Sequence, residues 1–295
     1  MENLELLKKK VQTAEDLLSV VKTMKSLAAV SIRQYERAVE SLEKYREVVE
    51  KGWHALLAQS GPLERRSRVA ETVCLIMGSD QGMCGQFNEI ILSRGLEEAG
   101  ELGKQGLNIT FWSMGEKIGP ALSDSGYPSR ETFPVPGSVT MINSGVQEVV
   151  QRLESWRSSR MTEHFYLCHN VLSAGGGYDQ TFYRILPLDR EWMDSIKSNK
   201  WPGRSLPMMG LTPELMFTHL FHHYLFVSLF RAFAQSLASE NTARLMAMQA
   251  AEKNILERRE TLQALFREQR QASITSELFD IISGFEALSD DVSAV

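Results

Sequence analysis

Proline is absent from both ends of this chain of 295 residues. All nine prolines lie between Pro62 and Pro213, and eighteen of the twenty glycines lie between Gly61 and Gly210. A proline inside a helix removes a backbone hydrogen bond and clashes with the preceding turn, so helices avoid it. The distribution therefore predicts a long helix at each end and a compact domain that turns repeatedly between them.

Cysteine is scarce, strong positive charge is lacking, and no long apolar run occurs. Cys74, Cys84 and Cys168 are too few for a disulfide framework and fit a reducing compartment. A net charge of −5 gives no electrostatic reason to expect nucleic acid.

The most apolar stretch, residues 215–238, contains three histidines and an arginine, and it falls short of the roughly 20 apolar residues of a membrane span. The opening "MENLELLKKK" is too charged for a signal peptide, so the sequence predicts a soluble protein.

Apolar residues recur at alternating intervals of three and four along the first segment. Only Lys25 and Arg46 interrupt the pattern, and we expect their stems to pack while their charges reach solvent. A repeat of seven sustained over this length indicates a coiled coil, and the other end of the chain is one candidate for the partner helix. This heptad seam comprises Leu4, Leu7, Val11, Ala14, Leu18, Val21, Lys25, Ala28, Ile32, Tyr35, Val39, Leu42, Arg46, Val49, Trp53 and Leu56.

The second long helix is predicted to begin at Thr212 and Pro213, because threonine is a good N-cap and proline suits the first helical position. It continues to about Ser283. Residues 215–238 are apolar around most of the circumference, which predicts enclosure by other parts of the chain. Beyond Glu240 the helix becomes mixed and polar, so its far half is expected to face a polar partner. The polar positions are Asn241, Arg244, Gln249, Glu252, Arg259, Gln269, Arg270 and Gln271.

The middle of the chain alternates strand and helix patterns, which predicts an α/β sheet. Strands are expected at residues 72–78, 107–115, 164–172 and 181–188, and helices at residues 88–102 and 144–158. The resulting domain limits are residues 1–60 for the N-terminal coiled-coil helix, 70–207 for the central α/β domain and 212–288 for the C-terminal coiled-coil helix.

No pattern predicts a catalytic, cofactor-binding or metal-binding residue. The loop "GSDQGMCGQFN", residues 78–88, has neither the lysine of a P-loop nor the GxGxxG spacing of a dinucleotide fold, so it is interpreted as a structural turn. The histidines His219, His222 and His223 lack the glutamate of an HExxH motif and are interpreted as part of a helical interface. No assembled nucleophile motif is present.

Four blocks of the sequence resemble one known family. "RQASITSELFDIISGFEAL", residues 270–288, closely resembles the signature of the gamma subunit of F-type ATP synthases, the central rotor shaft. "SENTARLMAMQAAEKN" (residues 239–254), "GSDQGMCGQFN" and "MKSLAAVSIRQYERA" (residues 24–38) also resemble that family, and the blocks follow its order along the chain. The C-terminal block is highly specific, the loop is moderately specific, and the first-helix block is weaker.

The resemblance implies an antiparallel coiled coil of the two terminal helices and a central Rossmann-like α/β domain. It implies a subunit that is not catalytic by itself, standing inside a ring of three alpha and three beta subunits, with the epsilon subunit and the membrane rotor ring of c subunits as further partners. It also implies a contact with the beta subunits at Arg270, Gln271, Thr275 and Glu277, and at Met24 and Arg33 of the first helix at the same level. The absence of a transit-like leader predicts a peripheral protein on the cytoplasmic face of a bacterial inner membrane.

Two departures from the family pattern suggest a divergent lineage. Phe285 replaces the small alanine that usually follows the glycine at position 284, and Gln81 replaces the loop arginine. Such a lineage resembles the alternative bacterial ATPases proposed to pump sodium ions, although the choice of ion belongs to the membrane ring. Two other classes stay open from the sequence: a freestanding coiled-coil adaptor, which would dimerise through its own seam, and a nucleotide-binding α/β enzyme.

Overall fold

A computed structural model describes residues 4–59, 71–160, 164–201, 203–205 and 207–292. The helices are α1 (Leu4–Gln59), α2 (Phe87–Lys104), α3 (Ile118–Asp124), α4 (Val139–Arg160), α5 (Arg190–Ser198) and α6 (Pro213–Val292). The strands are β1 (Thr72–Met77), β2 (Ile109–Met114), β3 (Glu131–Phe133), β4 (His164–Leu172) and β5 (Tyr178–Leu186). Among the helices described, none combines the length and the apolar character that crossing a bilayer requires.

The chain forms two compact units. One, here called the helical unit, joins Met1–Leu27 to Ala247–Val295, and the other, the sheet unit, is Ala28–Met246. Because α1 and α6 each contribute to both units, the units cut across the three segments expected from the sequence.

The heptad seam of α1 is confirmed. Every side chain of the series, from Leu4 to Leu56, is buried or half-buried, and Leu7 and Trp53 are almost fully enclosed. Because the intervening positions are mostly exposed, the burial follows the seven-residue period that the sequence shows.

The two charged residues of the seam are paired. Lys25 forms an ion pair with Glu252 of α6, and Arg46 pairs with Glu43 and Glu50 of its own helix. Both stems are half-buried, as expected. Their charges are held by carboxylates rather than left to solvent alone, because acidic residues lie one helical turn away or on the neighbouring helix.

The start of α6 is also as predicted. Pro213 is its first residue, and the Thr212 hydroxyl accepts a hydrogen bond from the backbone N–H of Leu215 at 3.4 Å. The helix continues beyond the predicted end near Ser283, as far as Val292. The predicted enclosure of residues 215–238 is confirmed only in part. Residues 215, 218, 219, 222, 223 and 231 are exposed, whereas every residue from 232 to 240 except the half-buried Gln235 is buried within the sheet unit.

The sheet has the strand order β3-β2-β1-β4-β5. Strands β1 to β4 are parallel and β5 runs antiparallel to β4. The four predicted strands and two predicted helices are present; β4 has the predicted ends, and the ends of the others are shifted. Strand β5 ends at Leu186 because the following Pro187 has no N–H to donate. The elements β3, α3 and α5 were not predicted. A strand of three residues and helices of seven and nine residues are too short to show a clear apolar period.

Both faces of the sheet are covered. Alternate residues of β1 point to opposite faces: Val73, Leu75 and Met77 belong to a cluster with α4, α6 and Tyr35 of α1, while Cys74 and Ile76 belong to a cluster with α2 and α3. A parallel sheet covered on both faces explains why β1 is apolar throughout. The three cysteines are buried and free.

Candidate functional site

The predicted contact residues of the C-terminal block lie on an exposed stretch of α6. Every residue from 270 to 282 is exposed. The hydroxyl of Thr275 donates to the backbone carbonyl of Gln271 at 2.8 Å, and neither Arg270 nor Glu277 forms an ion pair with another described residue. On an α-helix, Arg270 and Glu277 share one face, and Gln271 and Thr275 lie on the adjacent face. The structure therefore brings these four residues together as one surface.

Large apolar side chains, which were not among the predicted contact residues, share that surface. Ile274, Leu278, Phe279 and Ile281 are between 54% and 62% exposed, and Ile282 is 44% exposed. The signal was present, because these residues recur at helical spacing in the block "SITSELFDII". The expectation of a polar surface was thus incomplete. Exposed apolar residues clustered with charged ones mark an interaction site.

The register of the two helices explains this exposure. Within the helical unit, Met1–Leu27 lies with Ala247–Val295, and Lys25 pairs with Glu252. The helices therefore run antiparallel. Arg270 lies 18 residues beyond Glu252, which is about 27 Å along the axis, and this places it level with Leu7. Residues beyond about 274 then extend past Leu4, the first described residue of α1.

This register corrects one sequence prediction. Met24 is half-buried and lies next to Lys25, so it is level with residues near 252 of α6 and not with Arg270. The error arose because a motif gives the residues of each helix but not the register between helices. Around Met24, the side chains of Leu17, Val20 and Leu27 are 50%, 51% and 63% exposed. They form an apolar stripe on α1. Arg33 is exposed and belongs to the sheet unit.

Several polar residues of α6 face the chain itself. Glu240 and Arg244 form an ion pair at 2.6 Å, with side chains only 8% and 15% exposed. Burial raises the pKa of Glu240, although the charge and hydrogen bonds of Arg244 act to lower it. The hydrogen bond from Lys25 lowers the pKa of the Glu252 carboxyl. The prediction that the polar residues beyond Glu240 face a partner is therefore wrong for Arg244 and Glu252.

The glycine-rich loop is held by hydrogen bonds within the chain. Asn88 accepts from the backbone N–H of Ser79 at 3.0 Å and donates to its hydroxyl at 2.8 Å. Asp80 accepts from the backbone N–H groups of Glu116, at 2.9 Å, and Val135, at 3.1 Å. The loop thus lies at the carboxyl ends of the strands, where α/β folds commonly bind nucleotides, and its side chains are used as structural ties. These hydrogen bonds support the interpretation of the loop as a structural turn.

The histidines of α6 contact other helices. His223 Nδ1 lies 2.8 Å from the hydroxyl of Tyr45 in α1, and His222 Nδ1 lies 3.0 Å from a carboxylate oxygen of Glu154 in α4. Over the described ranges, no group of three potential ligands is positioned to hold a metal ion. The interpretation as interface residues is confirmed for His222 and His223, whereas His219 is exposed.

A cavity of about 400 Å³ lies in the sheet unit between α1, α6 and β5. Its deepest polar group is His169, whose Nε2 lies 3.2 Å from the side-chain oxygen of Gln235 and whose Nδ1 lies 3.2 Å from the hydroxyl of Thr181. Burial lowers the pKa of His169 to about 4, so the imidazole is neutral near pH 7. Arg46 and Arg231 line the cavity, together with Glu50. The lining thus carries both positive charge, on Arg46 and Arg231, and negative charge, on Glu50. It does not select a ligand by the sign of the ligand's charge.

Comparisons with known proteins agree along the whole chain. A sequence model of the ATP synthase family matches residues 3–288. The ATP synthase gamma chain of Lawsonia intracellularis is 27% identical over 300 residues, covering 98% of this chain and 100% of that protein. The ATP synthase gamma chain of Magnetococcus marinus is 25% identical over 296 residues, covering 98% and 99%.

Solved structures show the same fold. A chain in the Euglena gracilis mitochondrial ATP synthase, OSCP/F1/c-ring in rotational state 3, aligns with a TM-score of 0.67 at 16% identity, covering 97% of this chain and 94% of that chain. A chain in the central stalk and c-ring of the Tetrahymena thermophila mitochondrial ATP synthase aligns with a TM-score of 0.54 at 18% identity, covering 79% and 99%. Long terminal helices around a central mixed sheet are common to these chains and this one. The chain therefore belongs to the ATP synthase family, with curated relatives that are gamma chains.

Proposed function

We propose that this chain is the central-stalk, or rotor, subunit of the F1 sector of an F-type ATP synthase. It transmits torque between the ion-driven membrane ring and the catalytic beta subunits, which couples ion translocation to ATP synthesis or hydrolysis. The observation that carries the proposal is the exposed stretch of α6 from residue 270 to residue 282. It continues a helix whose earlier turns pack within the chain, and it presents apolar and charged side chains that a surrounding protein can contact.

The mechanism requires contacts that differ from one beta subunit to the next. A rotor shifts the open and closed states of a neighbour only if it binds one state more tightly, and a shift from 1:99 to 99:1 needs about 5.5 kcal/mol. Arg270 and Glu277 offer charge-assisted hydrogen bonds on one face, and Gln271 and Thr275 offer neutral ones beside them. Because these groups lie on particular faces of α6, turning the helix changes which beta subunit they contact.

We place the beta-subunit contacts at two or more levels of the shaft. Arg270, Gln271, Thr275 and Glu277 form the level near the end of α6. Met24, with its exposed apolar neighbours, forms a second level on α1, and Arg33 lies further along α1. The ion pair between Lys25 and Glu252 supports this separation, because it fixes Met24 about 27 Å from Arg270 along the helical unit.

The assembly that follows has several partners. The helices of residues 1–60 and 212–288 act as the shaft inside the ring of alpha and beta subunits, and the domain of residues 70–207 acts as a foot that binds the epsilon subunit and the ring of c subunits. We assign no catalytic, cofactor or metal site to the residues that the structure describes, and no nucleic-acid partner. It is a peripheral membrane protein on the cytoplasmic face of a bacterial inner membrane.

Two other functions are less well supported. A freestanding adaptor would dimerise through its seam, but residues of the seam are buried within the single chain and Lys25 is paired with Glu252. A nucleotide-binding enzyme would need a free pocket at the carboxyl ends of the strands, and there Asp80 and Asn88 are hydrogen-bonded within the chain. Both observations favour a subunit that packs its own ends together and binds other proteins with its exterior.

The direct test is affinity purification of the tagged chain from cells that express it with its alpha, beta and epsilon subunits. We expect all three subunits in the eluate by mass spectrometry, and ATPase activity that depends on the beta subunit. A matched chain that ends at Gln269 should recover much less alpha and beta subunit while retaining the epsilon subunit. Recovery of the full chain without any ATPase subunit would contradict the proposal.

A further inference from the structure

The glycine-rich loop joins three strand ends through one carboxylate. Asp80, three residues after the end of the loop's own strand β1, accepts hydrogen bonds from the backbone N–H of Glu116, after β2, and of Val135, after β3. The backbone approach is close, because a Cβ placed on Gly115 would lie 2.7 Å from the carbonyl oxygen of Ser79. The loop is therefore fixed to the sheet over three neighbouring strands.

The same loop contacts α6. Cys84 and Phe87, both almost fully buried, form an apolar cluster with Ala243, and Tyr178 packs against this cluster. Ala243 lies between Glu240 and Arg244, whose buried ion pair spans one turn of the helix. The loop and this turn of α6 thus share one largely buried contact, beside which lies a pair of charges.

Both long helices reach this contact within the sheet unit. Tyr35 of α1 is 6% exposed, and the charges of Glu240 and Arg244 act on its hydroxyl, although burial is the main reason that the pKa of Tyr35 is raised. The charge of Asp80 likewise acts on Glu240. Residues from α1, α6 and the strand ends are therefore close enough to interact electrostatically at one place.

We infer that this cluster is a rotational lock between the sheet and the two long helices. The loop–helix lock comprises Tyr35, Asp80, Cys84, Phe87, Glu240, Ala243 and Arg244. It holds the segments of α1 and α6 that belong to the sheet unit at a fixed angle to the sheet. Rotation of the sheet therefore rotates these helices instead of twisting the contact between helices and sheet. The role of these residues is to position the two helices on the sheet, and the inference rests on the proposed function.

The physical reason is that a buried, interlocked contact resists sliding. If α6 rotated about its axis against the loop, Ala243 would leave its apolar neighbours and the ion pair would lose its enclosed position. The ion pair lies within α6 and would turn as a unit, so the resistance comes from the apolar contact: close-packed side chains transmit strain because they leave no free volume. A solvated contact of the same length would twist more easily.

The test uses the complete ATP synthase complex reconstituted in vesicles with the variant D80A. This substitution removes both carboxylate oxygens that accept hydrogen bonds from Glu116 and Val135. The measured quantities are ions pumped per ATP hydrolysed and the torsional stiffness of the shaft, obtained from the angular fluctuations of a probe on the sheet domain while the alpha–beta ring is held. We expect D80A to lower the pumping ratio at least threefold and the stiffness at least twofold, with hydrolysis within twofold of the unmodified complex. D80N, which retains one carbonyl acceptor, should be intermediate.

Controls separate this role from general stability and from the proposed function. D124N removes the charge of an exposed aspartate of the same domain and should leave both quantities unchanged. If D80A complexes do not assemble, D80N and E240Q decide by the same measurements. Unchanged pumping ratio and stiffness in fully assembled variant complexes would overturn the lock, whereas failure of the unmodified chain to assemble with alpha and beta subunits would instead overturn the proposed function.

Discussion

Charged residues of α6 fall into two classes that the sequence alone does not separate. Glu240 and Arg244 are enclosed within the chain, while Arg270 and Glu277 are exposed. All four lie in polar-looking stretches of one helix, and their spacings of four and seven are typical of any helical surface. Their environment depends on which other elements lie beside each turn. For this reason the sequence predicted contact roles for Arg270 and Glu277, which are exposed, and did not predict the internal ion pair.

The exposed neighbours Arg270 and Gln271 give a prediction about the coupling of ATP hydrolysis to ion pumping. Replacing both Arg270 and Gln271 with alanine should change the free energy of unfolding by less than about 0.5 kcal/mol, because exposed positions away from a core contribute little. Ion pumping driven by ATP in the reconstituted complex should fall several-fold, because the beta subunits lose hydrogen-bonding partners. Chemical denaturation and a pumping assay measure the two effects. R258A, an exposed arginine earlier on the same helix, is the matched control, and loss of folding in the double variant would show that Arg270 and Gln271 are structural.

The buried imidazole of His169 gives a prediction about pH. Its folded-state pKa is lowered to about 4 by burial, against about 6.5 in an unfolded chain. Between these values the unfolded chain takes up a proton that the folded chain does not, so the free energy of unfolding falls as the pH is lowered. Between pH 7.5 and pH 5 the contribution of this residue is about 2 kcal/mol.

Comparison with H169Q isolates that contribution. The variant removes the titrating group, so its free energy of unfolding should decrease less than that of the unmodified chain when denaturation is measured at pH 7.5 and at pH 5. H219Q, which replaces an exposed histidine of α6, should retain the full pH dependence. Identical pH dependence of H169Q and the unmodified chain would contradict the assigned cause.

At the scale of elements, the sequence predicted the features that residues close together along the chain determine. The seam of α1, the cap at Thr212 and the strands β1, β2 and β4 follow from period, capping and apolar runs. The register between α1 and α6 could not be predicted, because it depends on a pairing between residues 227 positions apart, such as Lys25 and Glu252. That register decides which part of α6 is exposed, and so it decides the position of the candidate site.

The seam of α1 offers a matched pair of substitutions. Leu18 is 6% exposed and its neighbour Leu17 is 50% exposed. L18A should lower the apparent free energy of unfolding by about 2 to 5 kcal/mol, because it removes buried methyl groups and leaves a cavity. L17A should change it by less than about 1 kcal/mol. Equal effects of the two variants in chemical denaturation would contradict the assigned face of the helix.

The apolar residues at the end of α6 give a second prediction at this scale. The triple variant I274S/L278S/I281S should leave the unfolding of the isolated chain almost unchanged, because these side chains are already exposed. Its affinity for the alpha–beta ring should fall at least tenfold, because burying each such side chain in an interface is worth about 1.5 to 3 kcal/mol. Titration of the chain into the isolated ring measures the affinity. Unchanged binding would remove these residues from the interface.

For the whole molecule, the position of the helix breakers matches the proposed function. Proline and glycine are concentrated between α1 and α6, where the sheet domain folds, and they are nearly absent from the two long helices. A rotor needs uninterrupted helices because a break would let the shaft bend instead of turn. The second helix has two environments: part of its beginning packs against the sheet and the first helix, and residues 270–282 near its end are exposed.

Rotation of the sheet domain during ATP hydrolysis tests this account most directly. The alpha–beta ring, assembled with this chain, is fixed to a surface, and a probe is attached to an exposed residue of the sheet domain, such as Lys104. We predict that ATP drives the probe in one direction, in three equal steps per turn, one for each beta subunit. Sustained hydrolysis by the assembled complex with a stationary probe would contradict the proposal that this chain is the rotor.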